Sequence, residues 1–488
     1  MSDSTRLSAR TRWARFRFGV IAPLLTAPPD KGELGATIAE LASRAWPHPT
    51  TGEALRLSAK TIERWFYTAR DHERPLEALA RKVPRHAGTH PSISEPIAAE
   101  LGQLRRDHPR WSYQLVYDNL VVVARQNPEL GVVPAYATVR RYMKEHGLGK
   151  HRRPRRHEQA PGFVPRERRS FEVAHVCALW HCDFHDAKRK VLTARGEWSI
   201  ATLFGLLDDR SRLCCHVQWY LGDENTESFV HGLTQGFQKR GLPRSLLSDN
   251  GSPMIAAETR EGLDRLSIEH FTTLAQTPEQ NGKQEVFWAQ IEGRLMPMLE
   301  GEPELTLELL NRATQAWVEQ EYNRRVHSET KQTPLDRWLA GPSVGRPSPS
   351  SDELRRAFRM QVSRKQRTSD GTLTVAGVRY ELPSAYRTLL RPTLRVARWD
   401  LSSIDLVDPR RDVHLATLLP LDKERNADRR RRALANPSAG ALLQPAATPA
   451  GIAPLLRQYM ADYAATGLPP AYVPHDTSLS DNNEENES

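Results

Sequence analysis

Apolar positions in the first 150 residues recur at intervals of three and four, which is the period of a helix. In residues 57–66, Ser58 precedes a segment in which Ile62, Trp65 and Phe66 fall on one face. We therefore predict a helix that is capped by Ser58 and buries this face. Its outward side chains would be Lys60, Thr61 and Arg64.

A second segment of the same kind begins at Trp111 and ends in residues 137–144. Val139, Tyr142 and Met143 would pack inward there. The outward side chains would be Thr138, Arg140, Arg141 and Lys144. Both segments are typical of helix-turn-helix units, in which a helix enters a DNA groove. A small helical bundle with a solvated basic face would show the same pattern, so the DNA interpretation depends on the rest of the chain.

From about residue 171 the pattern changes to short apolar runs and helical stretches. Residues 179–183, 198–207 and 213–221 are predicted strands, and the turn at Asp208 to Ser211 joins the last two as a hairpin. Residues 226–240 form an amphipathic helix that ends at Gly241, and residues 245–248 form a further strand. The order predicts a mixed sheet with helices on its faces.

The rear of the chain is predicted to be a small β-barrel over residues 355–425, because short alternating strands follow a Pro/Ser/Gly-rich break at 341–350. Residues 452–463 then show an apolar helical stripe inside a polar tail at 440–488. Since the tail offers no evident core, this helix is predicted to dock on a partner. Residues 481–488 are polar and acidic, and we expect them to be disordered.

Charge is segregated along the chain, whose net charge is +10. Residues 1–170 carry 30 basic and 17 acidic side chains, residues 171–340 carry 18 and 25, and residues 351–440 carry 19 and 11. Basic ends suit phosphate binding and an acidic centre suits cations, although surface charge for solubility is the alternative. Between the helices and the centre lies a proline-containing basic linker, residues 151–172, with Arg152, Arg153, Arg155 and Arg156. Such a linker can lie along a duplex and neutralise phosphates.

Neither a membrane span nor a secretory signal is predicted, because no apolar run approaches 18 residues. The four cysteines are too few for a disulfide framework and agree with a reducing cytoplasm. His175, Cys177, His181 and Cys182 are crowded, but they lack a CxxC pair. Alternate side chains of a strand also point apart, so a zinc site is disfavoured.

Three carboxylates are the candidate chemistry of the acidic centre. Asp183 and Asp249 each follow a predicted strand, and Glu285 lies in a predicted helix. The gaps between them are 65 and 35 residues. Carboxylate oxygens are the ligands that a hard cation such as magnesium prefers, and three carboxylates brought together would repel one another without such a cation.

The sequence around these carboxylates resembles that of the DDE transposase and retroviral integrase superfamily. The similar branch has an integrase core and includes bacterial insertion-sequence transposases and bacteriophage Mu transposase. The matching blocks surround Asp183, Asp208 to Arg212, Asp249 to Ser252, and Pro278 to Glu285, with further matches at 322–327 and 333–338. The resemblance is close over about residues 175–340, and the order of helical region, core and barrel is similar to the Mu-type plan.

The resemblance implies a ribonuclease H-like integrase catalytic core at 173–340 and a multidomain α/β protein. It implies that Asp183, Asp249 and Glu285 hold two magnesium ions, for which manganese can substitute. Water would cut the ends of a mobile element, and the freed 3′-hydroxyl would attack target DNA at the same site. Lys283 would contact a phosphate or shape the start of its helix.

The implied partners are double-stranded DNA, further copies of the chain and an AAA+ ATPase that selects the target. We expect a bacterial, cytoplasmic, nucleoid-associated protein. The predicted domains, in chain order, are a helix-turn-helix unit at 1–90, a second at 91–150, the linker at 151–172, the core at 173–340, the barrel at 355–425 and the tail at 440–488. A non-catalytic DNA-binding regulator and another ribonuclease H-like nuclease are the alternative functions.

Three smaller predictions concern the neighbours of the carboxylates. Asp208 and Asp209 would close the hairpin and pair with Arg210 or Arg212. His185 and Asp186 would be an exposed polar pair at the end of the first strand, with contact to the metal shell or to DNA as the alternative. A stripe at helical spacing beyond Glu285 would be core: Phe287, Trp288, Ile291 and Leu295.

Overall fold

The computed structural model describes residues 9–80, 89–149, 171–273, 282–423 and 449–466. The chain forms two compact units, residues 1–91 and 92–488. No helix within these described ranges is long and apolar enough to cross a membrane. The predicted phosphate contacts of the linker, Arg152, Arg153, Arg155 and Arg156, lie outside the described residues, as do residues 278–281, 429–432 and 481–488.

The first unit consists of helices and one short hairpin. It contains α1 (Ala9–Thr26), α2 (Leu34–Ser43), β1 (Ala45–Pro47), β2 (Ala54–Arg56), α3 (Ala59–Arg70) and α4 (Pro75–Ala78). The Ser58 hydroxyl accepts the N–H of Thr61 at 3.3 Å, which caps α3. Ile62, Trp65 and Phe66 are buried in the core of this unit. The predicted capped helix is confirmed, and Lys60 and Arg64 are exposed on it while Thr61 is half-buried.

The second helical group is built into the larger unit. It contains α5 (Glu95–Asp107), α6 (Tyr113–Gln126) and α7 (Tyr136–Glu145). Its buried residues belong to the same hydrophobic cluster as residues of the central sheet. The indole N–H of Trp111 donates to the carbonyl of Pro297 at 2.9 Å. On α7, Val139 and Met143 are buried, Thr138 and Tyr142 are half-buried, and the three basic side chains are exposed: Arg140, Arg141 and Lys144.

A five-stranded mixed sheet forms the centre of the larger unit. Its strands are β3 (Leu179–Leu192), β4 (Trp198–Asp208), β5 (Cys214–Leu221), β6 (Ser245–Ser248) and β7 (Glu269–Thr272). They lie in the order β5-β4-β3-β6-β7. The first three pair antiparallel, and β6 and β7 run parallel to β3. The predicted mixed sheet is confirmed.

Helices cover both faces of this sheet, because alternate residues of each strand are apolar on opposite sides. On one face lie α8 (Thr226–Arg240) and α9 (Ala257–Arg265), which share a cluster with Cys182 and Phe204. On the other face lie α10 (Gly282–Gln290), a π-helical turn (Ile291–Leu295), α11 (Met296–Met298) and α12 (Leu307–Gln320). The side chains of Leu203 and Leu207 lie on this second face. After α12, the chain continues to α13 (Pro334–Ala340). The predicted core stripe of α10 is confirmed.

The first strand is longer than its apolar run predicted. It continues past Asp183 to Leu192 because β4 pairs with it over this whole length, with a bulge between His185 and Arg189. The prediction that Asp183 ends a strand is therefore wrong. Instead, Asp183 lies where the parallel neighbour β6 ends.

The rear strands form an antiparallel sheet and a hairpin around one core. After α14 (Ser351–Ala357) come β8 (Met360–Ser363), β9 (Thr372–Val375), β10 (Val378–Glu381), β11 (Thr393–Ala397), β12 (Asp400–Asp408) and β13 (Val413–Leu418). The sheet order is β13-β12-β11-β8, and β9 pairs with β10. Over residues 282–423, these ladders do not join into a closed ring, so the predicted barrel is not confirmed.

The helix α15 (Pro454–Ala464) packs on the chain's own core. Ile452, Leu456 and Met460 are buried in the cluster that contains α6 and α12. The N–H of Leu455 donates to the buried amide oxygen of Asn119 at 3.0 Å. The prediction that this stripe has no core and awaits a partner is therefore wrong, because its core lies more than 100 residues away in the sequence.

Candidate active site

Asp183 lies on β3, and Asp249 directly follows the end of the neighbouring parallel strand β6. The register pairs His181 of β3 with Leu247 of β6. Asp183 is two residues further along β3 and Asp249 is two residues after Leu247, so the two carboxylates come close enough for the charge of Asp249 to act on Asp183. The N–H of Gly251 donates to Asp249 Oδ1 at 2.9 Å, in the turn that ends β6. The sheet topology therefore brings together two of the three predicted carboxylates.

Burial and the proximity of Asp249 disfavour the charged form of Asp183. Burial raises the pKa of Asp183 to about 7, and the charge of Asp249 adds to the rise. Burial and the charge of Asp249 also raise the pKa of Glu224, which precedes α8. Ionising all these groups at neutral pH without a counter-charge is therefore unfavourable.

The helix α10 lies directly over Asp183. Gly205 is the cross-strand partner of Asp183, and it has no side chain on the face that α10 covers. A Cβ at this position would collide with the Trp288 ring and would lie 2.9 Å from Gln284 Nε2. The Trp288 indole N–H contacts Asp183 Oδ2 at 3.4 Å. The His185 ring stacks on Trp288 at 5.1 Å between centroids, and its Nε2 lies 2.9 Å from Glu292 Oε1.

Glu285 is exposed on α10, one turn before Trp288. The contact between this helix and Asp183 is made by Trp288. Over the described ranges, no group of three or more His, Cys, Asp or Glu side chains is placed so that it could hold a metal ion. The structure thus places Glu285 on the helix that covers the pair and does not assemble it into a ligand set.

Lys283 is engaged inside the protein. Its ammonium forms an ion pair with buried Asp209 and donates to the carbonyl of Phe171 at 2.7 Å. Asp208 instead accepts from the backbone N–H of Cys177 at 2.8 Å and from Ser211. The predicted pairing of these aspartates with Arg210 or Arg212 is wrong. Both arginines reach Glu172, because Asp208 and Asp209 point into the protein.

Comparison with known proteins gives distant structural similarity. No family model matches the chain. Among solved structures, the simian T-cell lymphotropic virus intasome, in complex with the PP2A regulatory subunit B56 gamma, has 13% identity and a TM-score of 0.31. That match covers 58% of this chain and 91% of that chain. The magnesium-bound HTLV-2 integrase catalytic core domain, in its trimeric form, has 18% identity and a TM-score of 0.26, covering 34% and 98%. The BIV integrase catalytic core domain has 18% identity and a TM-score of 0.25, covering 33% and 94%. None of these similarities reaches the identity or the overlap that would assign a family.

The donor chemistry of the pair fits a hard cation, even though the third ligand is not assembled. The charged form of Asp183, which is disfavoured beside Asp249, would be stabilised by a divalent ion bound to both carboxylates. Magnesium needs few protein ligands when waters and substrate phosphate complete its shell. Asp183 and Asp249 are therefore suitable ligands, and Glu285 is a candidate third.

Three features of the site were missed at the level of the sequence. Trp288 was predicted as core, and it also supplies the N–H that reaches Asp183. Gly205 and Glu224 fell inside ordinary strand and turn patterns. The signal that could have identified Gly205 is a glycine inside an otherwise apolar strand, which often marks a close approach of another element.

If the chain has the DNA-cleaving activity that the sequence resemblance implies, we expect Gly205→Ala to impair that activity more than DNA binding. The added methyl group would push Trp288 and Gln284 away from the sheet and so displace α10 from Asp183. A displacement of about 1 Å can reduce a rate about 100-fold. The measurement is DNA strand cleavage at saturating DNA, with Gly293→Ala on the same helical segment as control, since its Cβ would meet open space. Equal activity of both variants would contradict this role of Gly205.

Proposed function

We propose that this chain is a DDE-type DNA transposase that binds the ends of a mobile element and catalyses strand cleavage and strand transfer. The observation that carries the proposal is the proximity of Asp183 on β3 to Asp249, which directly follows the parallel strand β6. The helix that carries Glu285 covers Asp183. The matched sequence blocks around these three residues support the same activity. A structural role for the pair is disfavoured because two adjacent half-buried carboxylates destabilise the fold when both are ionised.

In this proposal, Asp183, Asp249 and Glu285 hold two magnesium ions, or manganese in their place. Bound metal would supply Lewis-acid stabilisation of the attacking and leaving oxygens of an in-line displacement. The chain's own groups orient the ligands. The Trp288 N–H faces one oxygen of Asp183, and the Gly251 N–H holds Oδ1 of Asp249. Each carboxylate is thereby fixed before substrate arrives.

The two chemical steps need no covalent protein–DNA intermediate. In the first step, a phosphodiester at the element end exchanges its bond to the leaving 3′-oxygen for a bond to water oxygen; the water loses a proton and the 3′-oxygen takes one up to become a hydroxyl. In the second, the freed 3′-hydroxyl oxygen bonds to a target phosphorus, whose former ester oxygen leaves and takes up a proton. Both steps are in-line displacements, so one set of carboxylates can serve both.

The exposed basic residues of α3 are the proposed contacts of the first unit with DNA phosphates. Log K for DNA association falls as log salt concentration rises. Replacing Lys60 and Arg64 together by Ala should make this slope less steep by about 1.8, or about 0.9 for each lost phosphate contact. The matched control removes two exposed charges elsewhere in this unit, Lys31 and Arg74. Fluorescence anisotropy with labelled duplex at several salt concentrations gives the slope. Equal slopes for the two double variants would argue against α3 as a DNA contact.

Arg140, Arg141 and Lys144 of α7 are proposed to make similar contacts, together with the linker residues Arg152, Arg153, Arg155 and Arg156. Oligomers of the chain, assembled on paired element ends, are also proposed.

A target-selecting AAA+ ATPase remains a proposed partner on the basis of the sequence resemblance. Its binding site is not placed on α15, because the apolar side of that helix is buried.

Substrate choice tests this function against its two alternatives. Purified protein is incubated with double-stranded DNA or an RNA–DNA hybrid of equal sequence, in magnesium or in EDTA. The proposal predicts metal-dependent nicking of DNA that ends in the sequences flanking the native gene. Preferred cleavage of the hybrid would indicate another ribonuclease H-like nuclease. Tight metal-independent binding without cleavage would indicate a regulator.

A further inference from the structure

Asp209 is a fully buried carboxylate with three donors around it. His181 Nε2 lies 2.7 Å from Oδ1, and the Val173 N–H donates to Oδ2 at 2.8 Å. The Lys283 ammonium forms an ion pair with Oδ1 and also lies 4.5 Å from the centre of the Phe171 ring. Although burial alone would raise the pKa of Asp209, hydrogen bonds from His181, Lys283 and Val173 hold it well below the usual range. The group is therefore a fixed negative charge.

This charge connects the two elements that carry the proposed catalytic carboxylates. His181 is two residues before Asp183 on β3, so both side chains lie on the same face. Lys283 is two residues before Glu285, in the first turn of α10. Asp209 itself follows β4 in the hairpin turn. Asp209 thus contacts β3 two residues before Asp183 and contacts α10 two residues before Glu285.

Lys283 is poorly placed to serve DNA directly. Its side chain is only 15% exposed, and its ammonium already has a carboxylate, a carbonyl and an aromatic ring as partners. Moving it to a phosphate would leave the buried charge of Asp209 without its cation, which is strongly unfavourable. Its contacts favour an internal role.

We propose that Asp209 is a positioning residue, which fixes the Glu285 helix against the Asp183 strand through Lys283 and His181. The inference rests on the proposed function. Asp209 is not required to touch metal or DNA. Its effect is to hold the start of α10, which carries Glu285, against the strand of Asp183.

The test compares Asp209→Asn with Glu258→Gln in the full chain. Glu258 is a matched control because it is also fully buried and ion-paired, with Arg398 Nε at 2.6 Å, but it contacts neither β3 nor α10. Four quantities are measured: DNA joining as a function of magnesium concentration, Mn²⁺ affinity by calorimetry without DNA, DNA affinity, and Tm. We expect Asp209→Asn to weaken Mn²⁺ binding about tenfold and to slow joining about 100-fold at unchanged DNA affinity. The control variant should keep wild-type Mn²⁺ affinity.

A double variant separates positioning from folding. In Asp209→Asn/Lys283→Met both buried charges are removed, so a loss of Tm in Asp209→Asn should be largely recovered. The inference requires that Mn²⁺ affinity and joining stay low in the double variant. Recovery of both to wild-type values would overturn it, as would wild-type Mn²⁺ affinity in Asp209→Asn.

Two further outcomes keep this inference distinct from the proposed function. If the wild type neither binds Mn²⁺ nor joins DNA, the proposed function itself fails. If Lys283→Met weakens DNA binding and leaves Mn²⁺ affinity unchanged, Lys283 is a phosphate contact and the positioning role is overturned.

Discussion

Replacing Asp183 by Asn is expected to reduce DNA joining by about a thousandfold or more and, at the same time, to stabilise the metal-free protein at pH 8. Activity falls because the amide cannot serve as an anionic metal ligand. Stability rises because the half-buried carboxylate of Asp183 must ionise next to Asp249 at this pH. An isosteric amide removes that cost and can still accept the Trp288 N–H.

The sign of the pH dependence follows from the raised pKa. The pKa of Asp183 is about 7 in the folded chain against an ordinary value of 3.8, so the folded state holds its proton more tightly. This contribution to stability is fully present below pH 3.8 and is lost as the pH rises through about 7. The metal-free wild type should therefore lose stability relative to Asp183→Asn across this window.

Urea unfolding in EDTA at pH 5 and pH 8 measures the effect, with Asp264→Asn as a control at an exposed carboxylate. The amount by which the free energy of unfolding of Asp183→Asn exceeds that of the wild type should increase from pH 5 to pH 8. This difference should decrease when magnesium is added. A difference that is the same at both pH values would show that the Asp183 carboxylate is not disfavoured in the fold.

Deleting residues 449–488 is expected to destabilise the larger unit by about 5 kcal/mol or more. Ile452, Leu456 and Met460 are each at most 5% exposed, and burying such a side chain contributes about 1.5–3 kcal/mol. The deletion also removes the N–H partner of the buried Asn119 oxygen. The exposed apolar surface of α6 and α12 should promote aggregation.

The matched control is a chain that ends at residue 466 and keeps α15. We expect this control to unfold at the wild-type urea concentration, whereas the chain ending at 448 unfolds much earlier or is insoluble. If both truncated chains are equally stable, α15 does not belong to the core and its apolar stripe is again a candidate partner surface.

Local pattern was sufficient to predict four of the five strands of the sheet and the covering helices α8 and α10, but not β7, α9 or α12. The run of strands, the helix at Thr226–Arg240 and the short strand at Ser245–Ser248 follow from period and turn residues alone. The parallel pairing of β6 with β3 then puts Asp183 beside Asp249. Two of the three predicted site residues are thus brought together by a strand pairing that the sequence pattern alone did not specify.

Features that depend on distant contacts could not be predicted in this way. Asp209 pairs with residues 28 and 74 positions away, while the nearby arginines were the obvious local partners. The stripe of α15 is matched by a core assembled from α6 and α12, which lie far from it in the sequence. The extension of β3 beyond Asp183 depends on β4, since its own pattern there is polar. In each case tertiary pairing determined the outcome.

Joining of labelled DNA that carries the ends of the native element to a plasmid, in magnesium, tests the central claim most directly. The proposed function predicts joining by the wild type and its loss in Asp183→Asn, Asp249→Asn and Glu285→Gln, while each variant still binds the labelled DNA. If the wild type binds this DNA but never joins it, even with a partner ATPase supplied, the protein is a DNA-binding regulator. Normal joining by Glu285→Gln would contradict the three-carboxylate site.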